Sequence, residues 1–348
     1  MKRNGSGRAT LDEVASAAGV SRATVSRVVN GNRPVAPAIA RAVRKAIDEL
    51  GYVPNLMARS LMTKRTDLVT LVAGEGDVRV FTDPYFAAII RGVAQELSDA
   101  DIHFVLAMIQ HPSDLERVQR HLLAGTSDGA LVISAHANHN LLPPLLEAGV
   151  PVVLAGRPMD ATLDVPYVDN DNLLGARLAA RRLIDRGCVR VATIAGPADM
   201  SAGIDRREGF IAEVGAANDP VPVVHGDFTF AGGQAAAQRL LDIDPAIDGI
   251  FAASDLMALG ALRALADAGR RVPEDVAVVG FDDIEQAALS SPTLTTVRQD
   301  SVQQGRTMAQ LLLEVLGRAD RLPRSTRQAL AGKRSVMLPV ELIRRGSA

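Results

Sequence analysis

Two periodicities divide the chain. Up to about residue 50, apolar residues recur every three or four positions; from Leu68 onward, short apolar runs alternate with amphipathic stretches. The first pattern predicts three short helices. Leu11–Ala18 places Leu11, Val14, Ala15 and Ala18 on one face, and Gly19 ends it because glycine reaches left-handed backbone angles without penalty. Ser21 suits the N-cap of a second helix over Arg22–Val29, which buries Val25, Val28 and Val29, exposes Arg22, Ala23, Ser26 and Arg27, and stops at Asn30-Gly31. Pro37 suits the first turn of a third helix over Pro37–Leu50, with Ile39, Val43, Ala46, Ile47 and Leu50 facing inward.

The second pattern predicts strands at Leu68–Ala73, Ile102–Met108, Ala130–Ser134, Val150–Ala155, Val189–Ile194, Val221–His225, Gly249–Ala253 and Val276–Gly280. Between them lie helical stretches such as Phe86–Ala100, Asn172–Gly187, Arg206–Val214, Gly232–Leu241 and Leu256–Ala268. Apolar strands alternating with helices imply parallel sheets covered on both faces. Two such blocks, roughly 68–165 and 167–290, imply two similar lobes with a cleft at the carboxyl ends of their strands. The fold class expected is therefore an all-α head followed by an α/β body of two lobes.

Charge sharpens this division. Residues 1–66 hold 12 lysines and arginines against 4 carboxylates, so the segment carries +8; the whole chain is −2, which leaves −10 for the rest. A basic head on an acidic body points to a polyanion that meets the head alone. The spacing Ala15, Gly19, Val25 has a physical reading: alanine lets two helices approach, glycine turns the chain, and valine locks the second helix on the first. This is a helix-turn-helix, whose second helix enters the major groove by its N-terminal end. Arg22, Ala23 and Arg27 then face base edges, and an arginine–guanine pair is worth roughly 1–3 kcal/mol of discrimination. Ser21, Thr24, Asn30 and Tyr52 are candidates for phosphate contacts, with Thr10 beside them at the start of the first helix.

The stretch TLDEVASAAGVSRATVSRVVNG, followed by GYVPNLMARSL, resembles the DNA-binding head and hinge of the LacI/GalR family of bacterial repressors. The resemblance continues through DPYFAAIIRGV, DGALVIS, GVPVVLAGRP, VDNDNLLGA, RREGF, SDLMALGALRAL, VPEDVAVVGFDD and SPTLTTVRQD, in family order, and so covers nearly the whole chain. It implies a DNA-binding domain at 1–54, a hinge helix and linker at 55–66, and an effector-binding and dimerisation domain at 67–348 that resembles periplasmic sugar-binding proteins. The lobes would be 67–165 with 297–321, and 167–290 with 325–345, with crossings near Pro166, Pro292–Val297 and Leu322. Base readers fall on Arg22, Ala23 and Arg27. In the hinge, Asn55, Ala58 and Leu61 fall at the minor groove, Leu61 as an apolar wedge. Hinge residues 55–63 are too few for a stable isolated helix and would order only when two copies pair over DNA.

Carried over by motif, Tyr85 and Phe86 line one wall of the cleft, Arg206 is the main polar anchor, Phe228 stacks on a ring, and Asp255 and Asp282 accept hydrogen bonds. That set suits a sugar. Many members have an aspartate where this chain has Gly156, a departure that Arg157 is expected to compensate. The effector expected is a mono- or disaccharide, with a purine or nucleoside as the alternative.

Other chemistries find little support. Cys188 is the one cysteine, so no intrachain disulfide forms. Gly74 and Gly76 begin a G-x-G, but Arg79 stands at the third glycine position, and no dinucleotide fingerprint results. His136 and His139 lack nearby carboxylate or cysteine at ligand spacing and read as a surface loop, so neither metal nor cofactor is expected. A solute receptor for transport would need a secretory signal and no basic head. An enzyme would need an activated nucleophile beside Asp282, Asp283 and Glu285. No apolar run spans a bilayer and no heptad-repeat tail follows the body. The expectation is a cytoplasmic homodimer on a near-palindromic operator.

Overall fold

The computed structural model describes residues 9–30, 35–53, 65–215 and 220–348. The chain divides into two compact units at Thr66/Asp67. No helix among the described residues is long and apolar enough to cross a membrane.

The first unit holds α1 (Leu11–Ala18), α2 (Arg22–Asn30) and α3 (Pro37–Leu50). Thr10 caps α1 in a reciprocal box with Glu13. Gly19 follows with φ 65°, the left-handed angle that lets Val20 N–H reach back to the Ala15 carbonyl. Ser21 Oγ accepts from Thr24 N at 3.2 Å and starts α2. Val14, Ala15, Val25, Val43, Ala46 and Tyr52 pack together as the small core. Ile39, expected to face inward, is 37% exposed and not part of it.

The second unit is built on two six-stranded sheets. In chain order the strands are β1 Leu68–Ala73, β2 His103–Met108, β3 Gly129–Ile133, β4 Val152–Ala155, β5 Tyr167–Asn170, β6 Val191–Ala195, β7 Val223–His225, β8 Gly249–Ala252, β9 Ala277–Asp282, β10 Thr295–Arg298, β11 Ser335–Leu338 and β12 Glu341–Ile343. One sheet runs β2-β1-β3-β4-β5-β11 and is wholly parallel. The other runs β7-β6-β8-β9-β10-β12 and is parallel except for β12 on β10. Each strand feeds alternate side chains to two different cores, as a sheet covered on both faces requires. In β3, Leu131 and Ile133 join one cluster while Ala130 and Val132 join another. In β8, Ile250 and Ala252 face one cluster and Phe251 the opposite one.

The lobe boundaries differ from those expected. β5 belongs to the first sheet, so the first crossing follows Asn170 and not Pro166. Thr295–Arg298 is a strand of the second sheet, which moves the second crossing beyond Arg298. β11 returns to the first sheet, so the last crossing lies between Leu338 and Glu341 and not near Leu322. The reason is backbone pairing: these short strands satisfy the open edges of the two sheets, a demand that the apolar pattern does not register.

A buried arginine locks the first lobe. Arg318, only 2% exposed at its side chain, donates to Asp67 Oδ1 at 2.8 Å and Asp128 Oδ2 at 2.6 Å, tying the end of helix Ser301–Val315 to the starts of β1 and β3. Removing Arg318 takes a buried donor from both carboxylates at once. Arg318→Ala is expected to lower unfolding free energy by about 3–5 kcal/mol, read as a drop in the urea midpoint at constant slope.

Candidate functional site

Two candidate surfaces result, one on each unit. On the first, Arg22, Ala23 and Arg27 are exposed on α2 beside the exposed Ser21, while Val25 on the opposite face is fully buried. The helix thus presents a basic N-terminal face held rigidly by its apolar one. Thr24 is half-buried and shares a hydrogen bond with Ser21 at 2.9 Å. Thr10 is exposed but already committed to capping α1. Tyr52 is different from expectation: it is 9% exposed and packs in the core, so it first holds the three helices together. Asn30 closes α2. Asn55, Ala58 and Leu61 lie outside the described residues.

On the second unit, a cavity of about 520 Å³ opens between the lobes at the carboxyl ends of both sheets. In each sheet the strand order reverses around its first strand, at β1/β3 and at β6/β8, so the segments that follow those strands diverge and leave a crevice. From the first lobe come Arg79, Ser134, His136, Arg157 and Asp169; from the second come Ser201, Arg206, Phe228, Ser254 and Asp282; Asn172 and Gln299 stand at the crossings.

Arg206 forms the floor. It is 5% exposed, yet every arm of its guanidinium is engaged. Nε donates to Asn172 Oδ1 at 2.8 Å, Nη1 to the Ala253 carbonyl at 2.7 Å, and Nη2 to Gln299 Oε1 at 3.4 Å. Its plane lies over the Phe281 ring, 3.6 Å from the centroid. Asp282 Oδ1 is 3.5 Å from Nη1 and also accepts from Gln299 Nε2 at 2.6 Å. Burial raises the Asp282 carboxyl above the usual carboxylate range, and the Arg206 charge opposes that rise. Asp282 and Asp283 follow each other at φ 122° and 59°, angles that cost a non-glycine residue of the order of 1–3 kcal/mol and that the neighbouring ion pairs hold in place.

The aromatic residues form the inner wall. Phe228, at φ 62° and 7% exposed, rests against Gly196, where an added Cβ would fall 2.3 Å from its ring. Arg79 stands 5.4 Å from the Phe228 centroid and 5.8 Å from that of Phe86. Tyr85 meets Phe86 edge-on at 5.4 Å; Phe86 is fully buried and is a core residue as much as a wall. Asp83 caps the helix Pro84–Asp99 through Tyr85 N.

Three expectations are corrected. Asp255 does not line the cavity. It is fully buried beneath Gly280 and accepts from Ile284 N at 2.9 Å and from Thr296 Oγ1 at 2.5 Å, which fixes the turn that carries Asp282. His136 is no surface residue: its side chain is 15% exposed, lines the cavity, and bridges Glu75 and Asp199. Arg157 reaches the cavity but pairs with Asp205 at 2.6 Å, so it closes the rim and does not replace the carboxylate absent at Gly156. The sequence does not single out Arg79, Asp169, Asn172, Asp205 or Gln299 as site residues, although Asp169 stands near the carboxyl end of β5, and Asn172 and Gln299 stand at the crossings that follow β5 and β10. Asp169 is the best placed of them, accepting from Arg157 N, Asn170 N and Asn172 Nδ2.

A helix-turn-helix unit and a two-lobed binding body define a ligand-sensing DNA-binding protein, and the comparisons agree. Residues 10–55 match the profile of bacterial regulatory proteins of the lacI family, and residues 180–348 that of the periplasmic binding protein-like domain. The HTH-type transcriptional regulator CelR of Thermobifida fusca is 48% identical over 311 residues, 88% of this chain and 92% of that protein. A solved structure of a transcriptional regulator CelR–cellobiose complex covers 98% of this chain and 100% of that one at 44% identity and TM-score 0.75. The lac repressor dimer bound to operator and the anti-inducer ONPF gives TM-score 0.83 at 26% identity, covering 98% of this chain and 99% of that one. The chain belongs to the LacI family and is a transcriptional regulator of that family.

Because Asp255 supports the turn and does not line the cavity, Asp255→Ala is expected to act on stability. Stranding the Ile284 N–H and the Thr296 hydroxyl should cost about 2–4 kcal/mol in urea unfolding, and Thr296→Val should cost less than half of that.

Proposed function

We propose that the chain is a homodimeric repressor whose α2 helices read two halves of a near-palindromic operator, and whose grip is set by a neutral sugar, a disaccharide such as cellobiose, held between the lobes. The observation that carries the sugar reading is the charge balance of the cavity. Each arginine in its lining has a carboxylate partner: Arg79 with Glu75, Arg157 with Asp205, Arg206 with Asp282. An anionic ligand would need a cation with charge to spare. A polyol instead meets fixed acceptors at Asp169 and Asp282, fixed donors at Arg206, and the Phe228 wall. The volume lies within the ~300–1,000 Å³ of small-molecule sites. The CelR–cellobiose complex supports the same class of ligand. A purine stacking on Phe228 would find that ring already flanked by Arg79 and Arg206.

For the head, exposed Arg22 and Arg27 on a rigid helix support major-groove readout, and a two-fold dimer matches operator symmetry. The hinge leads directly into β1 of the first lobe, so a ligand that changes how the lobes meet biases what two hinges can reach. The effector site is read as binding and not catalytic, in keeping with regulators as relatives.

Cellobiose at a hundred times its dissociation constant is expected to stabilise the protein by about 2.7 kcal/mol in thermal unfolding. Arg206→Lys, which keeps the charge and loses the fork, should remove most of that effect. If a purine stabilises the protein and no mono- or disaccharide does, the sugar reading is wrong. In gel-shift titrations against duplexes selected from a random pool, Arg22→Ala should lose about 1–3 kcal/mol of specific binding with little change on random duplex. Equal affinity of the native protein for selected and random duplex would refute the operator assignment.

A further inference from the structure

The lobes touch directly at the rim of the cleft, at two places of different chemistry. Arg157 of the first lobe grips Asp205 of the second through Nε at 2.9 Å and Nη2 at 2.6 Å. Nearby, His136 of the first lobe has Nδ1 2.8 Å from Asp199 Oδ2 of the second, and Nε2 3.0 Å from Glu75 Oε1 of its own lobe. The backbone reinforces the second contact, with Ala137 N–H donating to the Asp199 carbonyl at 2.9 Å.

A neutral imidazole has one N–H and one lone pair, whereas an ionised carboxylate only accepts. Both contacts of His136 are satisfied together by the imidazolium alone. Deprotonated, the ring must set a lone pair against one of two carboxylates. Burial of the ring works against its charge, but the hydrogen bonds to Glu75 and Asp199 outweigh burial and the net direction of its pKa is upward. The other charged groups around it do not reverse this. Arg79, on the helix Asp77–Thr82, is paired with Glu75, which also accepts from Ser134 at 2.7 Å. His139, its ring centroid 5.2 Å away, is pushed down by burial and by the His136 charge.

Position gives this contact leverage. The first and last crossings leave the first lobe at the ends of β5 and β11, neighbours at one edge of its sheet. His136 follows β3 and Glu75 follows β1, two and three strands away from β5, roughly 10–15 Å at ~4.8 Å per strand. A rotation at the crossings therefore separates His136 from Asp199 early.

We propose that His136 is a proton-dependent latch: as imidazolium it ties Asp199 of the second lobe to Glu75 of the first and holds the cleft shut, and on losing its proton it releases the rim. The Arg157–Asp205 pair supplies a second tie whose guanidinium does not titrate. The latch deepens the reading of the cavity as an effector site and rests on it for its consequence in regulation. Its sign follows from the raised pKa. Closure is fully supported below the imidazole's value in the open cleft, and that support is lost as pH rises through the higher value of the closed one. A ligand that needs closed lobes should then lose affinity by at most ~tenfold per pH unit within that window, because one proton moves.

The test uses the full-length protein without ligand first. Imidazole proton NMR, with the His136 signal identified by its absence in His136→Gln, should show a titration above the ordinary value of ~6.5 in the native protein. In Asp199→Asn the midpoint should fall. Identical titrations in the two proteins overturn the latch. Calorimetry with cellobiose from about pH 6 to 9 should then show weakening affinity in the native protein and a flatter profile in Asp199→Asn; the same slope in both also overturns it. Failure of cellobiose to bind at every pH counts against the sugar reading, while the ligand-free titration still decides the latch.

Discussion

A guanidinium survives nearly complete burial only where it is well partnered, and Arg206 finds its partners on four separate segments. Asn172 begins the helix after the first crossing, Ala253 follows β8, Asp282 ends β9, and Gln299 begins the second crossing. Stranding such a charge costs several kcal/mol, so these segments are held in register by the demand of one side chain. Phe281 is drawn flat beneath it, and Asp282 is held at a backbone angle that few aspartates adopt. The floor of the cavity is therefore set before any ligand arrives, and hydroxyl groups would meet fixed donors and acceptors without reorganising them.

The lobes are joined by contacts of another kind. Four apolar clusters fill the body, two on each sheet, and none spans both lobes. Among the described residues, what passes between the lobes is largely polar: Arg157 to Asp205, His136 to Asp199, Arg79 over the Phe228 ring, and the three chain crossings. Moving one lobe against the other thus exposes little apolar surface, whereas deforming either lobe would break a close-packed core. A regulator needs an element with two accessible arrangements, and this division of labour supplies one.

The same logic explains the head. Val25, fully buried, anchors α2 from the inside and leaves Arg22, Ala23 and Arg27 facing out. Among the described residues of the head, seven are buried in its core, Tyr52 among them, so Tyr52 serves packing.

The sequence alone determined the helix-turn-helix, the charge division and the parallel two-lobed body, because each rests on local periodicity or composition, and a family motif pointed to Arg206, which lines the cavity. Tertiary structure alone decided the rest. β5, β10, β11 and β12, of three or four residues each, are too short to show in an apolar pattern; they are strands because neighbouring strands offer them backbone partners. Asp255 and His136 exchanged their expected places for the same reason at the level of side chains. An aspartate 29 residues from Ile284 N–H and a histidine 61 and 63 residues from its two carboxylates acquire their roles only when folding brings those atoms within hydrogen-bond reach. No spacing along the chain encodes that distance.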